Sequence, residues 1–231
     1  MKKFIVIFII SCFISEWAFS QLPRLTRRES RQGWVLLFDG QTSNGWTSWR
    51  DGRPFPENGW VIENGVLTLD PAHRPGDIIT EEKFSDFELS LEFRITEAAN
   101  SGIKYFILPN TTLGLEFQIL DDAKHPDATQ GRDGNRLQGA LYDMIPPTNK
   151  QDKPIGEWNH ARIISKGNHV EHWLNGRKIV EFQRGTPEWD ALVARSKYIE
   201  NPGWGTPKES PILLQDHRDV ISFRNIKIRK L

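Results

Sequence analysis

Two stretches of the chain carry side chains suited to acid–base chemistry. In Leu115-Glu-Phe-Gln-Ile-Leu-Asp121 the apolar Leu115, Phe117 and Ile119 alternate with Glu116 and Gln118. In a strand, Glu116 and Gln118 would therefore point together away from the core, onto an open sheet face. In Pro211-Ile-Leu-Leu-Gln-Asp-His217 the residues Leu213, Gln215 and His217 share a face, and a Gln beside a His can bond hydroxyl groups. Two such polar faces would make one cleft. Asn100-Ser101-Gly102, entering a strand expected over Ile103 to Ile107, reads either as a turn or as an amide and a hydroxyl suited to a sugar.

The same spacing disfavours hydrolysis by a pair of carboxylates, which must lie about 5–5.5 Å apart for retention or about 6.5–9.5 Å for inversion. Position 118 is an amide that cannot ionise, and Asp121 would leave a regular strand on the face opposite Glu116. His169 and His172 likewise fall on opposite faces of a strand, which disfavours a shared metal. A divalent cation is compatible with His217 and Asp216, or with Glu116 and Asp121, but nothing in the sequence requires a cofactor. No glycine-rich phosphate loop, serine nucleophile elbow or HExxH motif occurs.

The elements that must position these residues are strands. From Trp34 onward the apolar residues recur mostly with period two, and Asn-Gly or Asp-Gly pairs punctuate them at 39–40, 44–45, 51–52, 58–59, 64–65, 133–134 and 175–176. Trp60 to Leu69 is expected to form a hairpin turning at Asn64-Gly65, a pair that tolerates the positive φ of a type I′ turn. Phe87 to Ile95 reads as a strand with one face in a core and one in water. Trp158–Lys166, His169–Leu174 and Lys178–Phe182 read as an antiparallel meander. The last strand, Val220 to Ile228, changes phase between Phe223 and Ile226, which predicts a bulge near Arg224-Asn225. One short surface helix is expected over Thr186 to Ser196, with Thr186 as cap and Pro187 in the first turn. Trp46, Trp173 and Phe223 are expected to pack the core or the sheets rather than stack on a sugar. The fold class is all-β, a sandwich or barrel, in a single domain over 33–231.

Composition narrows the partners. Thirty Lys+Arg balance thirty Asp+Glu among 231 residues, which removes the basic footprint of a nucleic-acid binder or a polybasic membrane-surface protein. Nine Trp against three Tyr, with 18 Gly and 14 Pro, is a turn-rich, Trp-heavy balance common in all-β proteins and carbohydrate binders. Residues 1–20 read as a signal peptide: Lys2-Lys3, an apolar run from Phe4 to Ile14, then Ala18-Phe19-Ser20 before Gln21. The expectation is export to the periplasm or outer surface of a bacterium, with no segment long enough to span a membrane. Cys12 follows Ile9-Ile10-Ser11 and also fits a loose lipoprotein site, so free and lipid-anchored forms both stay open. Cleavage after Ser20 leaves no cysteine for disulfides or thiolate ligands. Gln21 to Gln32, rich in Arg, reads as a linker or disordered arm.

Eight ordered motifs carry a family resemblance. These are Trp34-Val-Leu-Leu-Phe-Asp-Gly40 with Asn44-Gly45-Trp46, Asn100-Ser-Gly-Ile103, Glu116-Phe-Gln-Ile-Leu-Asp121, Gly139-Ala-Leu-Tyr142, Gly156-Glu-Trp-Asn159, His172-Trp-Leu-Asn-Gly176, Leu214-Gln-Asp-His217 and Phe223-Arg-Asn-Ile226. Together they cover nearly all of the chain after residue 33, and the chain resembles the 3-keto-disaccharide hydrolase family. The resemblance implies a concanavalin-like jelly roll whose concave face holds the site. It also implies a chemistry without a carboxylate pair: a C3 ketone, installed by a separate sugar oxidoreductase, acidifies C2–H, and loss of that proton expels the C1 glycosidic oxygen. Such a site needs a base, an acid, and donors or a cation for the enolate. On this reading Glu116 or His217 is the base and the other the acid. Asn100, Gln118, Gln215 and Tyr142 bind hydroxyls or the keto oxygen, Asp121 orients a neighbour or binds a cation, and Arg224 buttresses the site. The alternative is a non-catalytic carbohydrate-binding module of the same fold. A laminin-G-like adhesion domain is a third class, for which the polar face is too rich in Gln and Asn.

Overall fold

Period-two patterning yields thirteen strands among the residues described by the computed structural model, 22–50 and 53–231. The expected signal peptide lies outside them. The strands are β1 (Val35–Leu36), β2 (Trp46–Ser48), β3 (Trp60–Glu63), β4 (Val66–Leu69), β5 (Ile78–Thr80), β6 (Phe87–Ile95), β7 (Asn100–Tyr105), β8 (Leu115–Leu120), β9 (Asn159–Lys166), β10 (His169–Leu174), β11 (Arg177–Gln183), β12 (Leu213–Leu214) and β13 (Ile221–Lys230). They form two antiparallel sheets, a jelly-roll sandwich. The larger runs β11-β10-β9-β6-β13-β4-β3, with β1 added to β13, and the smaller runs β2-β5-β12-β7-β8. Between them Trp60, Phe87, Phe93, Phe117, Ile163 and Phe223 are fully buried in one apolar cluster, each such side chain contributing about 1.5–3 kcal/mol.

The predicted turns do their expected work. Asn64 and Gly65 adopt φ of 51° and 78° in the β3–β4 hairpin, and Asn175 and Gly176 adopt 49° and 81° between β10 and β11. The register of β13 against β6 shifts between Arg224 and Lys227 with Asn225 at φ 53°, the predicted bulge. Trp46 and Phe223 pack in the core, and Trp173 lies on a sheet surface beneath Arg162. His172 is buried on the inner face of β10. Its Nδ1–H donates to the Gly139 carbonyl (3.1 Å), so its Nε2 accepts from the Tyr105 hydroxyl (2.6 Å). Burial holds its pKa down at about 4.

Two expectations need correction. The outward face of β6 is only partly in water: Arg94 is exposed, but Glu88 and Ser90 are buried, because Arg162 and Arg229 donate to Glu88 (2.5 and 2.7 Å) and His160 bonds Ser90 (2.8 Å). The stretch 22–32, expected as a linker or disordered arm, carries helix α1 (Arg27–Arg31). Thr26 and Glu29 close a capping box, Glu29 pairs with Lys227 on β13, and Pro23 is buried. The Thr-x-x-Glu spacing was present in the sequence as a helix signal.

Helix α2 (Pro187–Val193) forms as predicted, with Thr186 accepting from the Trp189 amide. It opens the long excursion between β11 and β12. Trp189 stacks between Phe182 (5.4 Å) and Trp204 (5.7 Å), and Trp204 stacks on Tyr198 (4.0 Å between centroids). This pile anchors the excursion to the sandwich.

The capping box makes the docking of α1 testable. Thr26→Ala should lower the free energy of unfolding by about 1 kcal/mol, measured by urea denaturation. A variant indistinguishable from wild type would mean that α1 contributes nothing to global stability.

Candidate active site

The polar face of the smaller sheet is set by register. β7 and β8 pair Lys104 with Glu116 and Gly102 with Gln118, while the chain beyond β12 places Gln215 against Gly102 through its amide (3.0 Å). Cross-strand partners share a face, so Lys104, Glu116, Gln118 and Gln215 converge. Gly102 leaves room for the carboxylate: a Cβ at this position would collide with Glu116 Oε1 and force that side chain to move.

Loops then roof this face. The segment 139–142 runs along β8, where Gly139 and Tyr142 donate to the Gln118 and Glu116 carbonyls (2.7 and 3.1 Å), and it brings in Tyr142. The excursion after β11 brings in Lys197 and Tyr198. The result is a cavity of about 110 Å³ lined by Asn100, Lys104, Thr112, Leu113, Gly114, Glu116, Gln118, Tyr142, Lys197, Tyr198, Gln215 and His217. Roofing explains a further correction. Glu116 and Gln118, expected on an open face, are 6% and 1% exposed.

Six of the eight residues expected at the site meet in this cavity: Glu116, His217, Asn100, Gln118, Tyr142 and Gln215. The other two do not. Asp121 lies beyond the end of β8 and accepts from the Ala98 and Ala123 amides (2.8 and 3.0 Å). Arg224 sits on the larger sheet, bonded to Glu92 (2.5 Å) and over the Trp158 ring. Strand alternation places a residue on a face but does not say which sheet that face belongs to. Sequence reasoning missed Lys104, Lys197 and Tyr198. Lys104 was detectable as the residue two and four positions beyond Gly102 and Asn100, on their face of the strand.

Two acceptors in the pocket stand open to a hydrogen-bond donor. Gln118 Oε1 and Gln215 Oε1 are buried acceptors with no partner among the described residues, while Gln118 Nε2 donates to Asn100 Oδ1 (3.4 Å). Orphan buried acceptors are costly unless a ligand satisfies them. Tyr142 donates its hydroxyl to Asp127 (2.8 Å), and burial together with that carboxylate raises its pKa. Arg136 holds Asp127 and Asp143 (both 2.7 Å) behind it.

His217 stands at the rim with its side chain 46% exposed. Its loop is clamped reciprocally: the Asp216 amide donates to Asp77 (2.8 Å) and the Gly76 amide to Asp216 (2.9 Å). Asp219 Oδ2 lies 3.8 Å from His217 Nδ1 and accepts from the Asn100 amide (2.9 Å). Ligand atoms of His125, His217 and Asp219 lie within 4.8 Å of one another, a group able to hold a cation. His125 Nδ1 accepts from the Asp127 amide (3.1 Å), a bond that ligation through the other ring nitrogen would break. The pairs expected from sequence are less suited, because backbone amides occupy the carboxylates of Asp121 and Asp216. His169, apart from His172, joins Glu171 and Glu181 in a second such group, where Lys178 already bridges the two glutamates.

Comparison with known proteins agrees with this architecture. Residues 33–229 match the family described as 3-keto-alpha-glucoside-1,2-lyase-like domain. A Bacteroides thetaiotaomicron protein named 3-keto-disaccharide hydrolase is 33% identical over 230 residues, covering 86% of this chain and 79% of its own. A crystal structure from Parabacteroides distasonis, proposed to be a glycosyl hydrolase, superposes with a TM-score of 0.82 at 31% identity, over 91% of this chain and 100% of its own. A second from that organism, described in the same terms, gives 0.63 at 25% identity over 86% and 99%.

Asp77 and His172 predict opposing effects of pH on stability. Burial pushes Asp77 up to about 6, so its contribution is present below about pH 4 and is lost as pH rises through 6. The contribution of neutral His172 is present above 6.5 and is lost as pH falls through about 4. Asp77→Asn leaves the second unopposed, and the acid-side loss between pH 6 and 4 should steepen by about 3 kcal/mol in urea midpoints taken at each pH. An unchanged slope would place the Asp77 carboxyl in water. Separately, Gly102→Ala should displace the Glu116 carboxylate, seen in a crystal structure of the variant, while shifting the melting temperature by no more than about 8 °C; a carboxylate left in place would mean that the strands yield instead.

Proposed function

We propose, on the premise that this chain belongs to the family of 3-keto-alpha-glucoside-1,2-lyase-like domains, that it cleaves the glycosidic bond of 3-oxidised glycosides by C2 deprotonation and elimination. The observation that carries this reading is charge: Glu116 is the one carboxylate among the described residues lining the cavity. A carboxylate-pair mechanism needs two. A β-elimination needs a base, an acid and a place for enolate charge, and this cavity has Glu116, His217 and a set of N–H and O–H donors.

In this mechanism Glu116, on the cavity floor, takes the proton from C2. The C–H electrons form a C2–C3 double bond, and the carbonyl electrons move onto the C3 oxygen. As the ketone re-forms, the C1–C2 double bond is made, the C1–O bond breaks, and the departing oxygen takes a proton from His217 at the rim. Water then adds to the enone to give the 3-keto sugar, so the sum is hydrolysis. Gln118, Gln215, Asn100 and Tyr142 fix the ring through its hydroxyls. The ketone must come from a separate sugar oxidoreductase, and we place both steps outside the cytoplasm on the expectation that residues 1–20 act as a signal peptide. The relatives' names support a carbohydrate-cleaving role at this coarser level.

Purified protein incubated with 3-keto-trehalose and with trehalose in deuterated water should cleave only the keto sugar, with deuterium at C2 of the product. Glu116→Gln and His217→Ala should each lower kcat by about 10²–10⁴-fold while leaving sugar binding largely intact. Binding of both sugars without turnover would assign the fold to carbohydrate binding alone. A parallel incubation with a chelator reports on the His125, His217 and Asp219 group: loss of rate restored by a divalent ion places a cation there.

A further inference from the structure

We propose that Lys104 is the group that receives the negative charge of the C3 oxygen as C2 loses its proton. The inference rests on the keto-sugar reading above. Lys104 lies on the cavity floor with its side chain 9% exposed, and among the described residues its one ion-pair partner is Glu116 Oε2 at 3.7 Å. That separation is beyond hydrogen-bond range. An ammonium has three N–H donors and no acceptor, and a buried charge whose donors are unmet is costly. The donors of Lys104 are therefore available to an oxygen that enters the cavity.

Register makes the pairing specific. Lys104 and Glu116 are direct partners on adjacent antiparallel strands, which sets their side chains alongside one another. C2–H and the C3 carbonyl are likewise neighbours on the sugar ring. With Glu116 against the C2 proton, Lys104 is placed for the C3 oxygen. When the Glu116 oxygen bonds that proton, the carboxylate charge disappears at one end of the pair and the oxyanion charge appears beside it. Lys104 thus exchanges one anionic partner for another at a largely buried position, where such interactions are stronger than in open water. The amides of Gln118 and Gln215 supply no full charge. Lys197, at the rim over the Tyr142 ring (4.1 Å), is not paired across the sheet with the base.

The competing role is that of a counter-ion that merely keeps Glu116 ionised, and pH separates the two. For Lys104→Met, kcat on 3-keto-trehalose should fall by about 10²–10³-fold at every pH from about 5 to 9. KM should change by less than about threefold, since the lost interaction belongs to the transition state. Exchange of the C2 proton with deuterated solvent should fall in step with kcat, and Lys104→Arg should recover part of the rate. Lys104→Gln repeats the measurement if the Met variant melts early. An active wild type with Lys104→Met within about tenfold of it overturns this inference alone, as does a loss that vanishes at high pH. A wild type inactive on 3-keto-trehalose overturns the reading beneath it as well.

Discussion

Opposite charges facing each other across two buried strands set the terms for the rest of this molecule. Lys104 and Glu116 can be sequestered only because β7 and β8 hold them in register and because Gly102 leaves room for the carboxylate. Their burial in turn requires a roof. That roof comes from segments far apart in the chain: 139–142 along β8, the excursion after β11, and the loop ending at His217. Among the described residues the larger sheet contributes no cavity lining, yet it supplies the apolar surface against which the smaller sheet must pack.

The two faces of the sandwich solve the burial of charge differently. On the outside of the larger sheet, Glu88, Glu92 and their arginines are matched in short bonds, so the ladder is satisfied by the protein itself. On the concave side the matching is left incomplete. Two glutamine oxygens have no partner among the described residues and the central ion pair is long. Such incompleteness costs stability and marks the face that a ligand completes.

Much of the fold was legible because its signals are local. Alternation gave the meander, Asn64-Gly65 gave the hairpin, and the phase change in β13 gave the bulge. The concave residues Glu116, Gln118 and Gln215 were likewise readable from alternation, and the resemblance of ordered motifs joined them to Asn100, Tyr142 and His217. What escaped depends on register and on which sheet a strand joins. Lys104 is met by Glu116 only through the register of β7 with β8. Arg224 looked like a neighbour of the site until β13 was placed in the other sheet. The α1 segment differs for another reason: its arginine content suggests a disordered arm, while Thr26 and Glu29 spell out a cap.

The pile of Phe182, Trp189, Trp204 and Tyr198 has an optical consequence. Trp189 and Trp204 lie within 3° of parallel, and Tyr198 at the end of the pile is itself part of the cavity wall. Rings held so closely absorb as coupled chromophores with a fixed handedness. The near-ultraviolet dichroism of these rings is thereby tied to the wall of the cavity, and anything that nudges Tyr198 announces itself without any label.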